Sequence, residues 1–201
     1  MKELRRYFRR VLTTHATHTP NQIRYREALS GSKPIVVVTG PAGTGKTMLA
    51  CRCANEDGRR VLLTRPITSE YGFLPGDIDS KFKPWMAPML DHLDERGVEV
   101  VPLGFMRGRT FTNAYIVADE MQNSSVEQMK MLLTRVGANC KLVVAGDPLQ
   151  SDLDETDDGF ADLLRRMQGR DMQTVAHVCM GLEDVMRSEA VKEVLRLYAD
   201  D

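Results

Sequence analysis

Eight residues, GPAGTGKT at 40–47, place three glycines and a closing Lys-Thr pair in the spacing GxxxxGK[ST]. Glycines let a loop fold around phosphate with its N–H groups turned inward, and a helix starting at the loop adds positive potential where phosphate would sit. In such a loop the lysine reaches the β and γ phosphates and the final hydroxyl ligates Mg²⁺. The binding set is therefore Gly40, Pro41, Ala42, Gly43, Thr44, Gly45, Lys46, Thr47 and Met48, with Lys46 also taking part in catalysis. A second set is the acidic pair Asp119 and Glu120. The first can hold Mg²⁺ with Thr47, and the second can orient and activate an attacking water. The competing reading of Glu120 is a cap for the helix expected from Ser124. GDPLQ at 146–150 contributes Gln150, able to donate to the γ-phosphate or orient the water, or else to serve as a plain turn residue.

These residues need elements that bring them together. Four apolar, β-branched runs, PIVVVTG at 34–40, RRVLLTRP at 59–66, NAYIVADE at 113–120 and KLVVAGD at 141–147, read as strands buried on both faces. TVAHV at 174–178 is a weaker fifth. Helical patterning lies between them, at Thr47–Asn55, Ser124–Val136, Phe160–Met167 and, with a break, Leu182–Tyr198. Alternating strand and helix means βαβ units. The expected fold is α/β: a single RecA-like P-loop NTPase domain over residues 1–201, with a mostly parallel sheet and helices on both faces. Ligands of such sheets bind beyond the carboxyl ends of the strands. Thr39-Gly40, Asp119-Glu120 and Gly146-Asp147 then share one crevice.

The bulk numbers exclude several classes. At 201 residues, 42% hydrophobic and 27% charged, the chain suits one globular core, and no apolar run approaches the ~20 residues of a membrane span. A net charge of −1 gives no global attraction to nucleic acid. Cys51, Cys53, Cys140 and Cys179 lack metal-site spacing and read as reduced thiols in helix and buried strand, which suits a cytoplasmic protein. The first 19 residues are arginine-rich and acid-poor, as transit peptides are, but a further motif begins at Pro20, so a basic surface helix over 1–19 is expected. Residues 67–112, broken by prolines and glycines, read as an irregular insertion with a short helix near Ala87–Arg96. The acidic run Asp152–Asp158 is expected to cap the helix that follows.

Taken together, these strings resemble the PhoH-like family of P-loop ATPases, relatives of superfamily-one helicases. The resemblance runs from about Pro20 to Tyr198 and is carried by GPAGTGKT, LTRP at 63–66, GFLPGD at 72–77, PLGFMRGRT at 102–110, DEMQN at 119–123, QMKMLLTRVG at 128–137, GDPLQSDL at 146–153 and DVMR at 184–187. It implies ATP with Mg²⁺, an adenine-recognition element in TPNQ at 19–22 with Gln22 reading the base, and a γ-phosphate-contacting arginine at Arg187. The sequence departs from the family pattern at Met121, usually alanine, at the short link ITSEY, and at Ser188, commonly histidine.

Phosphoryl transfer commonly needs an arginine to neutralise transition-state charge. Helicases of this class close ATP between two domains, and only one is expected here. A homo-oligomer, possibly a ring, is therefore expected, with Arg135, or Arg107 and Arg109, reaching a neighbour's ATP. Arg135 also reads as a helix C-terminal residue complementing the dipole. The expected activity is ATP hydrolysis on RNA or single-stranded DNA. The basic first ten residues, with five Lys or Arg against one acid, and the aromatics Tyr71, Phe73, Phe82 and Trp85 favour it. The alternative is a nucleotide-gated assembly or regulatory ATPase acting on a protein partner. A small-molecule kinase fits least, because Glu120 would have little to do.

Overall fold

A computed structural model describes residues 18–67, 84–94, 97–154 and 156–186, together with 190 and 193. The expected basic helix at 1–17, the GFLPGD string, Tyr71, Phe73, Phe82, Arg187 and nearly all of the helix expected beyond 186 lie outside these residues.

The chain opens on α1 (Pro20–Ser30), a helix that the sequence reading had treated only as a recognition motif. Its start is a capping box: the Thr19 hydroxyl accepts from Gln22 N–H, and the Gln22 side-chain Oε1 accepts from Thr19 N–H. Pro20 sits at the first helical position, where its missing N–H costs nothing. The remaining elements are β1 (Ile35–Thr39), α2 (Lys46–Asp57), β2 (Arg60–Thr64), α3 (Ala87–Leu90), β3 (Val98–Val100), β4 (Ala114–Ala118), α4 (Val126–Leu133), β5 (Cys140–Gly146), α5 (Gly159–Met167) and β6 (Val175–Cys179). The stretch read as irregular thus contains a strand, β3, whose three residues are too few for periodicity to show.

The strands form one parallel sheet in the order β3-β2-β4-β5-β1-β6. Alternate residues of each strand face opposite sides, as the pleat requires. Val36, Val38, Tyr115, Val117, Val143 and Ala145 pack with α1, α2 and α3 on one face. Val37, Ile116, Leu142 and Val144 pack with α4 and α5 on the other. This is the expected α/β architecture with helices on both faces. Lys141, buried on β5, donates to the carbonyls of Gly31 and Lys33, both at 2.7 Å, and so ties the end of α1 to the sheet.

Helix starts follow local chemistry. Ser125 caps α4 in a second capping box with Gln128, so Glu120 is not that helix's cap. Asp158, the last residue of the acidic run, caps α5 through Phe160 and Ala161 N–H. Cys51, Cys53 and Cys140 are buried as expected, but Cys179 is exposed, because it ends an edge strand.

Candidate active site

Because β4, β5 and β1 are adjacent and parallel, their carboxyl ends share one edge, with Thr39 level with Gly146 and Ala118 level with Val144. The phosphate loop leaves β1 at that edge. Gly40, Gly43 and Gly45 have φ of 143°, 86° and 90°, values open to glycine and strained for other residues. At Gly40 space also forbids a side chain, since a Cβ would meet the Met180 carbonyl oxygen at 2.4 Å.

The loop is braced from outside. Gln22 Nε2 donates to the Thr44 carbonyl at 3.0 Å, Tyr25 Oη to the Lys46 carbonyl at 3.3 Å, and Met186 N–H to the Gly43 carbonyl at 3.1 Å. Gln22 is buried and also donates to the Asp184 carbonyl at 3.3 Å. Its amide is therefore committed to protein, and reading an adenine edge would require exchanging one of these contacts. Asp184, buried in the turn after β6, accepts from Asn21 Nδ2 at 3.0 Å and from Thr19 Oγ1. TPNQ thus acts as a helix start and a tie between α1, the loop and the 181–186 turn.

Lys46 Nζ folds back onto the loop, donating to the Gly40 and Pro41 carbonyls. Burial lowers its pKa, partly offset by the carboxylates of Asp147, Asp119 and Glu120. Thr47 Oγ1 donates to Asp119 Oδ1 at 2.9 Å. That hydroxyl and carboxylate fit Mg²⁺, which takes few protein oxygens and keeps several waters. Asp119 is buried, and burial followed by the neighbouring Glu120 charge raises its pKa, with Arg65 and Thr47 opposing.

Glu120 differs from its neighbour: its side chain is 48% exposed, and its backbone is left-handed at φ 55°, ψ 36°. A non-glycine residue held there costs about 1 kcal/mol or more, and such strain concentrates at functional sites. Two side chains hold its carboxylate. Arg65 Nη2 lies 3.2 Å from Oε1, and Gln122 Nε2 donates to Oε2 at 2.7 Å. Gln122 is buried, and its Oε1 accepts from Asp147 N–H at 3.2 Å, linking the acidic pair to the end of β5. Gly146 leaves the room it needs, since a Cβ there would come within 2.9 Å of Gln122 Oε1.

Lys46, Thr47, Asp119 and Glu120 are thus brought to one edge. Gln150 lies near it, exposed in a short turn (Pro148–Gln150) after β5. Arg135 does not: its carbonyl accepts from Phe111 N–H ahead of β4, at the opposite edge of the sheet. Its guanidinium donates to the Met131 and Arg109 carbonyls at 3.1 and 3.2 Å. Arg109 pairs with Glu99 at 3.1 Å and stacks over Phe111, and Arg107 is exposed nearby. Sequence reasoning gave no role to Arg65 or Gln122, although both stand in strings it singled out, LTRP and DEMQN. Arg65 and Glu120, like Gln122 and Asp147, are distant in sequence, and spacing carries no sign of either pairing.

A family model described as PhoH-like protein matches residues 15–199. Protein PhoH of Escherichia coli is 38% identical over 202 residues, covering 89% of this chain and 56% of that protein. A PhoH-like protein of Synechocystis is 36% identical over 201 residues, covering 90% and 61%, and one of Bacillus subtilis is 37% identical over 186 residues, covering 82% and 58%. The chain spans little more than half the length of these curated relatives. Among solved structures, the Pif1 helicase from Candida albicans superposes with a TM-score of 0.43 at 15% identity, over 82% of this chain and 40% of that one. With the family model covering nearly the whole chain and the phosphate loop in place, the chain belongs to the PhoH-like family of P-loop proteins.

Proposed function

We propose that the chain is a Mg²⁺-dependent ATP hydrolase that works with RNA or single-stranded DNA. The observation that carries this reading is the Thr47–Asp119 pair at 2.9 Å, with Lys46 in the loop on one side and Glu120 one residue beyond. The lysine leaves its loop carbonyls for the β and γ phosphates, and Thr47 with Asp119 holds Mg²⁺. Mg²⁺ when bound offsets phosphate charge and orients the terminal phosphoryl group. Glu120 accepts a proton from water as the water oxygen bonds to the γ-phosphorus. The bond from that phosphorus to the β–γ bridging oxygen breaks, and ADP leaves with the electron pair. Gln150 contacts the γ-phosphate or the water from the β5 side, and Gln22 senses the adenine from α1 by exchanging one of its contacts to the Thr44 and Asp184 carbonyls. A kinase has less use for Glu120, because its acceptor brings its own hydroxyl.

ATP sits at an interface between copies of the chain. Arg135, at the sheet edge away from its own phosphate loop, then supplies a neighbour's ATP with the arginine that transition-state charge calls for, and Arg187 keeps the γ-phosphate contact that the family pattern implies. The setting is cytoplasmic, which the free, buried thiols of Cys51, Cys53 and Cys140 suit. Among the described residues no helix is long and apolar enough to cross a membrane. The test is ATPase rate against RNA, single-stranded and duplex DNA, run with mass determination in solution. Stimulation by single strands and nucleotide-dependent assembly are expected. A rate and mobility indifferent to every nucleic acid at low salt would shift the reading to a protein partner, recoverable with ATP on a Glu120→Gln trap. A strict monomer with full activity would end the interface.

A further inference from the structure

Arg65 follows β2, the neighbour of β4 on the side away from β1. A Glu120 carboxylate paired with it is therefore drawn away from the phosphate loop, which leaves β1. The same guanidinium reaches in a third direction. Its Nη1 donates to the Trp85 carbonyl at 2.7 Å, in the short turn (Pro84–Met86) that leads into α3. Nη2 also lies 3.8 Å from Asp119 Oδ2. Arg65 is only 13% exposed, so its own end of these contacts is shielded from solvent, while the Glu120 end stays open to it. Yet its Nε is buried with no hydrogen-bond partner among the described residues. Beside it the left-handed backbone of Glu120 is strained, so the arrangement has something to gain from rearranging.

Building on the hydrolytic role assigned to Glu120, we propose that Arg65 is a positioning residue. It is a latch that holds the Glu120 carboxylate off the phosphate loop and ties its release to movement of the segment carrying Trp85. Binding of single-stranded nucleic acid, the partner proposed above, then licenses hydrolysis by drawing Arg65 away. Breaking the latch frees Glu120 without a ligand. If the competent pose is populated about 10% of the time at rest, the basal rate can rise at most about tenfold.

The experiment compares wild type, Arg65→Met, Arg65→Lys and Glu120→Gln as full chains, with thermal melts and binding of a fluorescent ATP analogue as controls for folding. Trp85 is the chain's only tryptophan, so its emission reports on this segment alone. Arg65→Met is expected to raise basal kcat several-fold, with KM for ATP within about twofold, and to lose further stimulation by poly-uridine RNA. Arg65→Lys, which keeps the charge, is expected to return the basal rate toward wild type. A merely structural arginine predicts a lower melting point with kcat and KM falling out together, and no rescue by lysine. An unchanged or reduced kcat in folded Arg65→Met overturns the latch. Should Arg65→Met fail to fold, Glu120→Gln decides: it removes the ion pair, so Trp85 emission must differ from wild type without nucleotide, and identical emission overturns the coupling. Turnover by Glu120→Gln at the wild-type rate sinks the hydrolytic role itself, whereas an inactive Glu120→Gln beside an Arg65→Met of wild-type rate sinks only the latch.

Discussion

The two halves of the site are built by different means. On the β1 side, the phosphate loop owes its shape to three left-handed glycines and to backbone carbonyls pinned by α1 and the 181–186 turn. On the β4 side, the carboxylate proposed to activate water is set by two side chains, Arg65 from β2 and Gln122 ahead of α4. Backbone geometry fixed by glycine and packing has little freedom. A carboxylate held between a guanidinium and an amide, and nearly half exposed, is fixed only by side chains and is open to solvent. The binding half is therefore the more rigid and the chemical half conditional, which suits the proposed ATPase if it holds nucleotide until a partner arrives.

The largest test of that contrast is Lys46→Ala. A loop shaped by backbone should stay folded without the lysine and lose only the charge that meets phosphate. Turnover is expected to fall by about 10³–10⁵-fold, with a melting point near wild type. A large loss of stability would show that Lys46, through the Gly40 and Pro41 carbonyls, is itself part of the scaffold.

Glu120→Gln comes next, on the conditional half. Removing a general base typically costs 10²–10⁴-fold, so kcat is expected to drop by about that factor. Affinity for Mg-ATP should hold, because binding belongs to the other half. Isothermal titration beside a phosphate-release assay separates the two, and weaker binding of the same size as the loss in kcat would erase the proposed division.

How legible each half was in the sequence follows the same line. GPAGTGKT gives away its chemistry because glycine, lysine and hydroxyl act within eight adjacent residues, and four of the strands gave themselves away by β-branched runs. The chain also announced α1, since Thr19-Pro20-Asn21-Gln22 is a capping box with proline at the first helical position, but its stripe of Gln22, Tyr25 and Leu29 is too polar to read as a core-facing helix. Strand β3 is three residues long and lies among prolines, below the reach of any period. Arg65 and Gln122 were beyond sequence reasoning for another reason. Arg65 meets Glu120 only because β2 and β4 are neighbours, and Gln122 meets Asp147 only because β4 and β5 are.

Gln122→Ala sharpens the comparison at a smaller scale. It keeps the acidic pair but removes the amide that donates to Glu120 and accepts from Asp147 N–H. A carboxylate freed on that side and still drawn by Arg65 should sit farther from the phosphate, and misplacement near 1 Å costs up to about 10²-fold. A loss of about tenfold in kcat with KM unchanged is expected. An unchanged kcat would mean that Gln122 merely fills space against Gly146.

The smallest effect concerns Asp119, and its sign runs against intuition. Its carboxyl is buried beside Glu120, and its pKa is raised above that of an unfolded aspartate. A raised carboxyl pKa means that the folded state binds the proton more tightly than the unfolded one. The contribution to stability is therefore most favourable at acid pH and is lost as pH rises through the folded pKa, so the ionised carboxylate is a net burden. Asp119→Asn keeps the shape and an acceptor for Thr47 Oγ1 while removing that charge. The nucleotide-free protein is expected to gain about 1 kcal/mol at pH 7, the scale of a functional group relieved of its cost. The gain should shrink as the pH falls, because wild-type Asp119 then becomes neutral too. With Mg-ATP present the order should reverse, since only the aspartate binds the metal and gains from it. Thermal melts at two pH values, with and without Mg-ATP, read all four quantities. A variant less stable than wild type without nucleotide would mean that Arg65 and Thr47 more than compensate the buried charge, leaving the β4 side as settled as the β1 side.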